Sequence, residues 1–158
     1  ARAGGVALVK GGWLYLLGGE KGFIDLADYF NDVWRTRDGE HWQLVTDNAG
    51  WSPRPGHKCS VLLDHFVCMG GFGIPANPTD IWVSKDGANW EQVSDSPWNA
   101  GSPDDIRYDF DMLTVKGGMG GQKPSIFTFG GDRETFFLPP AVNFFRVEND
   151  VWSYSPAD

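Results

Sequence analysis

The side chains best suited to chemistry are three histidines and two cysteines, and their spacing predicts no reactive centre. His41 lies in a hairpin turn, His57 precedes a strand and His65 opens one. No two of these histidines have the spacing of metal ligands, and Cys59 with Cys68 cannot supply a zinc site alone. We therefore expect no metal, no cofactor and no catalytic residue among them.

Carboxylates are plentiful, but most of them occupy turn sequences, where Asp is favoured because its side chain hydrogen-bonds nearby backbone groups. The densest acidic stretch is "SPDDIRYDFD" (102–111), which could bind a cation but is better explained as a solvated loop. The glycine-rich "GGMGG" (117–121) lacks the Lys-Ser/Thr and the helix that follow a phosphate-binding loop. We interpret it as the tip of a hairpin.

The composition favours a globular domain built from many short strands. The 158 residues are 41% hydrophobic and 22% charged, which is typical of a folded domain. The 21 Gly and 10 Pro indicate frequent turns, and the 8 Trp suit a β-rich core. The net charge of −8 argues against nucleic acid and anionic membranes as partners, because both bind clustered Lys and Arg.

An internal repeat supplies the elements that must position these side chains. At an offset of 52, "GGVALVKGGWLYLLGG" (4–19) lies on "GHKCSVLLDHFVCMGG" (56–71) without a gap. At an offset of 48, "NDVWRTRDGEHWQLV" (31–45) lies on "TDIWVSKDGANWEQV" (79–93). A third, looser copy contains "RYDFDMLTV", "SIFTFGG" and "NDVWSY". The copies divide the chain into units of about 4–50, 51–101 and 102–158.

Each complete unit predicts four short strands, with an Asp-Gly turn typical of a hairpin between the third and the fourth. In the second unit the strands are expected at Lys58–Leu62, His65–Met69, Asp80–Ser84 and Trp90–Val93. The last turn, "SKDGANW" (84–90), resembles the Asp-box of sialidase-type propellers but is one residue short. An Asp-box is a structural turn and does not indicate an enzyme.

Units of this length, with Gly-Gly after the second strand and Trp opening the fourth, resemble kelch repeats. The residues that carry the resemblance are "RPGH" (54–57), Gly18, Gly19, Gly70, Gly71, Gly130, Gly131, Trp42 and Trp90. The resemblance covers nearly the whole chain and implies an all-β fold of β-propeller blades, one blade per repeat. It predicts about three four-stranded blades, the last incomplete, within a larger propeller. The third copy departs from the pattern, with "RYDF" (107–110) in place of "RPGH".

In such a fold, the Gly pairs and the two repeat Trp residues are expected to be structural. Gly-Gly lets the chain leave the second strand where a β-carbon would clash, because Gly tolerates positive φ. Trp42 and Trp90 are expected to be largely buried between neighbouring blades. The repeat register pairs Cys59 with Cys68 at a non-hydrogen-bonded site, with Cα atoms roughly 4.5 Å apart. Whether they are bonded, and hence the compartment, stays open.

The resemblance implies a protein-interaction or scaffold module, because kelch propellers commonly present loops to protein partners. We expect a protein partner or the subunits of a larger assembly, no nucleic acid and no membrane insertion. A partner-binding loop is expected in "DRETFFLPPAVNFFRVEN" (132–149), which is longer than its counterparts. Its candidate contact residues are Phe136, Phe137, Leu138, Phe144 and Phe145, with Arg133 and Arg146 as polar rim groups.

Three alternatives stay open beside this hypothesis, and the first is a homo-oligomer in which copies of this chain complete the propeller. The phenylalanine-rich loop could instead fold back and cap its own propeller. The chain could also be part of a propeller enzyme, of carbohydrate-active or oxidase type, whose catalytic residues lie mostly outside this segment. A cluster of polar titratable groups at the propeller axis would favour catalysis, whereas an apolar rim would favour a partner.

Overall fold

Alternating apolar and polar residues, separated by glycine-rich turns, form strands throughout the chain. The computed structural model describes residues 1–22, 28–73, 78–99, 106–117, 122–133 and 147–156. These ranges contain eleven strands and no helix. The strands are β1 (Val6–Lys10), β2 (Trp13–Lys21), β3 (Asp28–Thr36), β4 (Gln43–Thr46), β5 (Lys58–Leu62), β6 (His65–Met69), β7 (Asp80–Ser84), β8 (Glu91–Asp95), β9 (Asp111–Val115), β10 (Ser125–Asp132) and β11 (Val147–Tyr154).

The strands form three antiparallel sheets that follow the sequence repeat. The first sheet has the order β1-β2-β3-β4, the second β5-β6-β7-β8 and the third β9-β10-β11. Strand β1 lies beside β5, and β5 beside β9, so the first strands of successive sheets are neighbours. The strand positions predicted for the second unit are confirmed, except that β8 begins at Glu91 and runs to Asp95.

The hairpin of β5 and β6 has the register that the repeat predicts. Its two-residue turn consists of Leu63 and Asp64, whose φ angles are 48° and 63°. Both residues are thus left-handed, as the turn of a type I′ hairpin requires. Cys59 pairs with Cys68, their Cα atoms are 4.1 Å apart and their sulfurs are bonded. The predicted pairing is confirmed, and the bond that the sequence left open is present.

Reduction of the Cys59–Cys68 disulfide is expected to lower the free energy of unfolding by about 2–3 kcal/mol. The bond joins residues 9 positions apart, so it restricts a short loop of the unfolded chain. Urea unfolding with and without reductant measures the difference. The double variant Cys59→Ala/Cys68→Ala should not respond to reductant. A loss below about 0.5 kcal/mol would contradict the loop-closure argument.

Two apolar cores fill the spaces between successive sheets. Side chains alternate between the two faces of a strand, so the middle sheet contributes to both cores. The buried residues of the first core are Val6, Tyr15, Leu17, Val33, Ala49, Trp51, Phe66 and Cys68. Those of the second core are Leu62, Val67, Met69, Ile81, Trp98, Phe110 and Ile126. The second sheet is therefore covered on both of its faces.

The two repeat Trp residues have different surroundings. Trp90 is partly buried in the first core, where its ring centroid lies 5.9 Å from those of Trp51 and Phe66. Trp42 has the equivalent position in the first sheet, yet it is 38% exposed. The prediction of burial between sheets is therefore wrong for Trp42. The physical reason is that no described residue covers that face of the first sheet.

Candidate interaction surfaces

An arginine–aspartate pair recurs at the same place in all three sheets. The Arg precedes the first strand of the sheet, and the Asp belongs to the Asp-x-Trp sequence of its third strand. Arg54 donates hydrogen bonds to both carboxylate oxygens of Asp80, with N–O distances of 2.5 and 3.0 Å. The same bidentate geometry joins Arg2 to Asp32 and Arg107 to Asp150.

Each of these arginines also holds the Gly-Gly pair of its own sheet. Its guanidinium donates to the carbonyl oxygen of the first Gly. The acceptors are Gly18, Gly70 and Gly130, at 3.0, 3.3 and 2.8 Å. One side chain thus joins three parts of a sheet: the segment before the first strand, the Gly-Gly pair and the Asp of the third strand.

Pairing with Arg54 keeps Asp80 ionised although the carboxyl is partly buried. Burial would raise the pKa of Asp80, but the hydrogen bonds and the charge of Arg54 outweigh it and lower the pKa below its ordinary value. Arg54 itself is buried. Sequence reasoning missed these pairs. The repeat register held a signal, because Arg2 falls on Arg54 at the offset of 52.

In the first two sheets, the second Gly of the Gly-Gly pair contacts the following repeat. The N–H of Gly19 donates to the carbonyl of Arg54 at 3.2 Å, and that of Gly71 to the carbonyl of Arg107 at 2.8 Å. Both glycines have a φ of 101°, which side-chain-bearing residues rarely adopt. A β-carbon on Gly19 would lie 2.5 Å from the carbonyl oxygen of Ala3. Only Gly therefore permits this close approach to the segment that precedes the first strand of the same sheet.

The three histidines are not brought together. His41 lies on an exposed turn, with its ring nitrogen 2.8 Å from the Asp38 carboxylate. His65 is exposed at the β5–β6 turn, whereas His57 is buried. Across the described parts of the chain, no group of three or more His, Cys, Asp or Glu side chains could hold a metal ion.

His57 is enclosed between the first and second sheets. Its ring centroid lies 5.2 Å from that of Trp51, and a β-carbon on Gly18 would lie 2.8 Å from the imidazole. Burial, followed by the positive charge of Arg54, lowers the pKa of His57 to about 3. The imidazole is therefore neutral at physiological pH and acts as a packing group.

The Asp-Gly turn of the second sheet uses its carboxylate to order its own backbone. Asp86 accepts hydrogen bonds from the N–H groups of Ala88 and Asn89, both at 2.8 Å. The indole of Trp90 donates to the carbonyl of Gly87 at 2.9 Å. Partial burial would raise the pKa of Asp86, but hydrogen bonds from Asn89 and Ala88 outweigh it and lower the pKa to about 2. This carboxylate serves the turn, as the Asp-box resemblance implies.

Aromatic rings from all three repeats meet beside the Gly-Gly pairs. The ring centroid of Phe72 lies 6.1 Å from that of Tyr29 and 6.3 Å from that of Tyr108. Glu20 pairs with Tyr29 across β2 and β3. Burial, followed by the charge of Asp109, raises the pKa of Glu20.

The outer face of the first sheet is apolar, and no described residue of another sheet covers it. It lies opposite the face that packs on the second sheet. Its side chains, read from the strand register, are those of Ala7, Val9, Leu14, Leu16, Trp34 and Leu44. Leu44 is 50% exposed and Val9 is 68% exposed. On the equivalent face of the second sheet, Phe66 is 0% exposed because the first sheet covers it.

The outer face of the third sheet is apolar as well. Its side chains are those of Leu113, Val115, Phe127, Phe129 and Val151. Leu113 is 58% exposed. The positions equivalent to Phe127 are Tyr15 and Val67, each of which is buried against the next sheet. Both ends of the three-sheet stack thus present apolar surface of the kind that the stack buries inside.

The predicted partner-binding loop lies mostly outside the described residues. Arg133 is described, and it donates to the Glu148 carboxylate at 3.1 Å. The remaining candidates fall in residues 134–146 and lie outside the described ranges: Phe136, Phe137, Leu138, Phe144, Phe145 and Arg146.

Within the described ranges, no helix has the length and apolar character needed to cross a membrane. A scan against protein-family models gives no match, and no curated protein matches the sequence significantly. The function is therefore inferred from the surfaces described above.

Proposed function

We propose that this chain is a segment of a kelch-type β-propeller and serves as a protein-interaction or scaffold module within a larger chain or assembly. The observation that carries the proposal is the contrast between equivalent positions. Leu14 of the first sheet is only partly buried, whereas its counterpart Phe66 in the second sheet is fully buried. The outer face of the first sheet thus has the kind of residues that the second sheet buries against its neighbour, but no described residue of another sheet covers them.

The energetics of apolar surface support this proposal. Each Å² of apolar surface that is removed from water contributes about 25 cal/mol. Exposed apolar patches are typical of surfaces that contact another protein. The frame between them suits a scaffold because two apolar cores and backbone hydrogen bonds between successive repeats join the three sheets.

Replacing one exposed apolar residue on each outer face with Lys is expected to abolish association with partner proteins. The variant is Leu44→Lys/Val151→Lys, and the measurement is the set of proteins crosslinked to the tagged chain in the cells that produce it. Because both side chains are exposed in the isolated chain, the melting temperature should stay within about 3 °C of the wild type.

The matched control is Leu63→Lys, which adds the same charge at an exposed hairpin turn outside both faces. Crosslinked proteins should be retained by the control and lost by the double variant. If the double variant kept all of them, the outer faces would not be the interaction surfaces.

The phenylalanine-rich loop is proposed as a further partner contact. Replacing Phe136, Phe137, Phe144 and Phe145 together with Ser is expected to remove an apolar anchor and weaken partner association at least about tenfold. Thermal stability and co-purification are measured on the same variant. An unchanged melting temperature with lost association supports docking. A collapse of the melting temperature in the isolated chain would show that the loop is core.

A further inference from the structure

The two outer faces of the stack correspond to the two sides of one internal interface. At each internal interface, a sheet presents one face to the next sheet along the chain, and that sheet presents its opposite face in return. The outer face of the third sheet corresponds to the face that packs on the following sheet, and no described sheet covers it. The outer face of the first sheet corresponds to the face that packs on the preceding sheet, and no described sheet covers it either. The chain therefore carries both halves of the contact that it already makes twice.

We infer that two copies of this chain associate head to tail, with the third sheet of each docked on the first sheet of the other. This inference rests on the proposed scaffold function and names its partner as a second copy of the chain. The two identical contacts would close a ring of six sheets, twice the three in one chain. Propellers close with about four to eight sheets, so six fits a closed ring.

The contact between the second and third sheets predicts which residues meet in the dimer. There, the Ser60 hydroxyl lies 2.6 Å from that of Thr114. Leu113 is the repeat equivalent of Ser60, because Ser60 pairs with Val67 and Leu113 pairs with Phe127, which is the repeat equivalent of Val67. Val9 is the repeat equivalent of Thr114. Leu113 of one copy is therefore placed against Val9 of the other.

The Asp-Gly turns give a second, independent match. A β-carbon on Gly87 would lie 3.4 Å from the Tyr15 ring and 3.7 Å from Val33, so this turn of the second sheet sits on the first sheet. The equivalent Gly39 has nothing within 4 Å. In the head-to-tail dimer, Gly39 and the exposed Trp42 would sit on the third sheet of the other copy. The positions equivalent to Tyr15 and Val33 there are Phe127 and Val151, both apolar.

The backbone contacts between repeats have a counterpart as well. Gly71 donates its N–H to the carbonyl of Arg107 in the next repeat. The corresponding residues at the two ends of the stack are Gly131 and Arg2, and head-to-tail docking places them together. A face-to-face contact between two identical outer faces would bring none of these complementary positions into register. The heterologous arrangement is therefore the one that the repeat supports.

Engineered cysteines test the arrangement on the full chain. Val9→Cys and Leu113→Cys are purified separately, mixed in equal amounts and oxidised mildly, and the products are separated by mass without reductant. We expect at least about tenfold more crosslinked dimer in the mixture than in either variant alone, because a disulfide forms only when the Cα atoms approach within roughly 7 Å. The dimer should have twice the 17.5 kDa mass of the chain. Mixing Leu63→Cys with Leu113→Cys is the matched control and should give no such product.

The double variant Val9→Cys/Leu113→Cys tests ring closure. It should stop at the dimer, because both contacts are used within one ring. A ladder of longer products would overturn the closed ring, and crosslinking of Val9→Cys with itself would overturn the head-to-tail arrangement. Either result would leave the proposed scaffold function standing, because the faces would still bind protein. If the chain stayed monomeric at all concentrations while other proteins were still crosslinked to both faces in cells, the head-to-tail dimer would be wrong. The proposed scaffold function would remain.

Discussion

Replacing Arg54 with Met is expected to lower the free energy of unfolding by about 3–5 kcal/mol. The guanidinium of Arg54 is buried and donates to Asp80, to the carbonyl of Gly70 and to both oxygens of Ser52. Met preserves the apolar stem of the side chain, so the loss isolates the polar head. What remains is a partly buried carboxylate without its counter-ion, which is the costly outcome of breaking a buried pair. Urea unfolding with the disulfide intact measures the change.

Two further variants separate the ion pair from simple packing. Arg2→Met removes the equivalent pair in the first sheet, where the side chain is 21% exposed compared with 3% for Arg54. Its cost should be smaller, because water replaces part of the lost hydrogen bonding. Arg54→Met/Asp80→Leu removes both charges and should recover more than half of the loss. A single Arg54 variant within about 1 kcal/mol of the wild type would contradict the argument.

Pairing of the first two strands was predictable from this sequence because the first two repeats align without a gap across those strands. Aligning residues 4–19 with 56–71 fixed the turn at Leu63 and Asp64, and a turn of known length determines which residues of a hairpin pair. The Cys59–Cys68 pair followed from that register alone. Its bond did not follow, because close Cα atoms permit a disulfide without requiring it.

The arginine–aspartate pairs were not predicted, for a reason that is equally physical. A repeat register compares equivalent positions and does not say which different positions touch. Arg54 and Asp80 are 26 residues apart and meet only because the third strand lies beside the second within the folded sheet. The environment of Trp42 was misjudged because equivalent residues share surroundings only when their sheets have the same neighbours.

Acidification is expected to destabilise the chain through His57. The pKa of its buried imidazole is lowered to about 3, whereas an unfolded histidine has a pKa near 6.5. Above the unfolded value both states are neutral, and the histidine contributes no pH dependence. Below the unfolded pKa, the histidine is protonated in the unfolded chain but not in the folded chain. The free energy of unfolding therefore falls by roughly 1.4 kcal/mol for each pH unit until the folded pKa is reached. Between pH 6.5 and 4.5 the loss should be about 2 kcal/mol.

The variant His57→Gln identifies this histidine as the source, because it removes the titrating group and keeps a polar side chain of similar reach. The slope of its free energy of unfolding against pH should be smaller than that of the wild type across this interval. The difference should correspond to about one proton fewer taken up on unfolding. Asp80 and Asp86 have lowered pKa values in the folded chain, and in the unfolded chain they take up protons mainly below pH 4.5. They therefore contribute little to the pH dependence of the free energy of unfolding above pH 4.5. An unchanged slope in His57→Gln would mean that the folded protein accommodates a charged imidazole. The closed packing of His57 against Trp51 and Gly18 would then have to open as the pH falls.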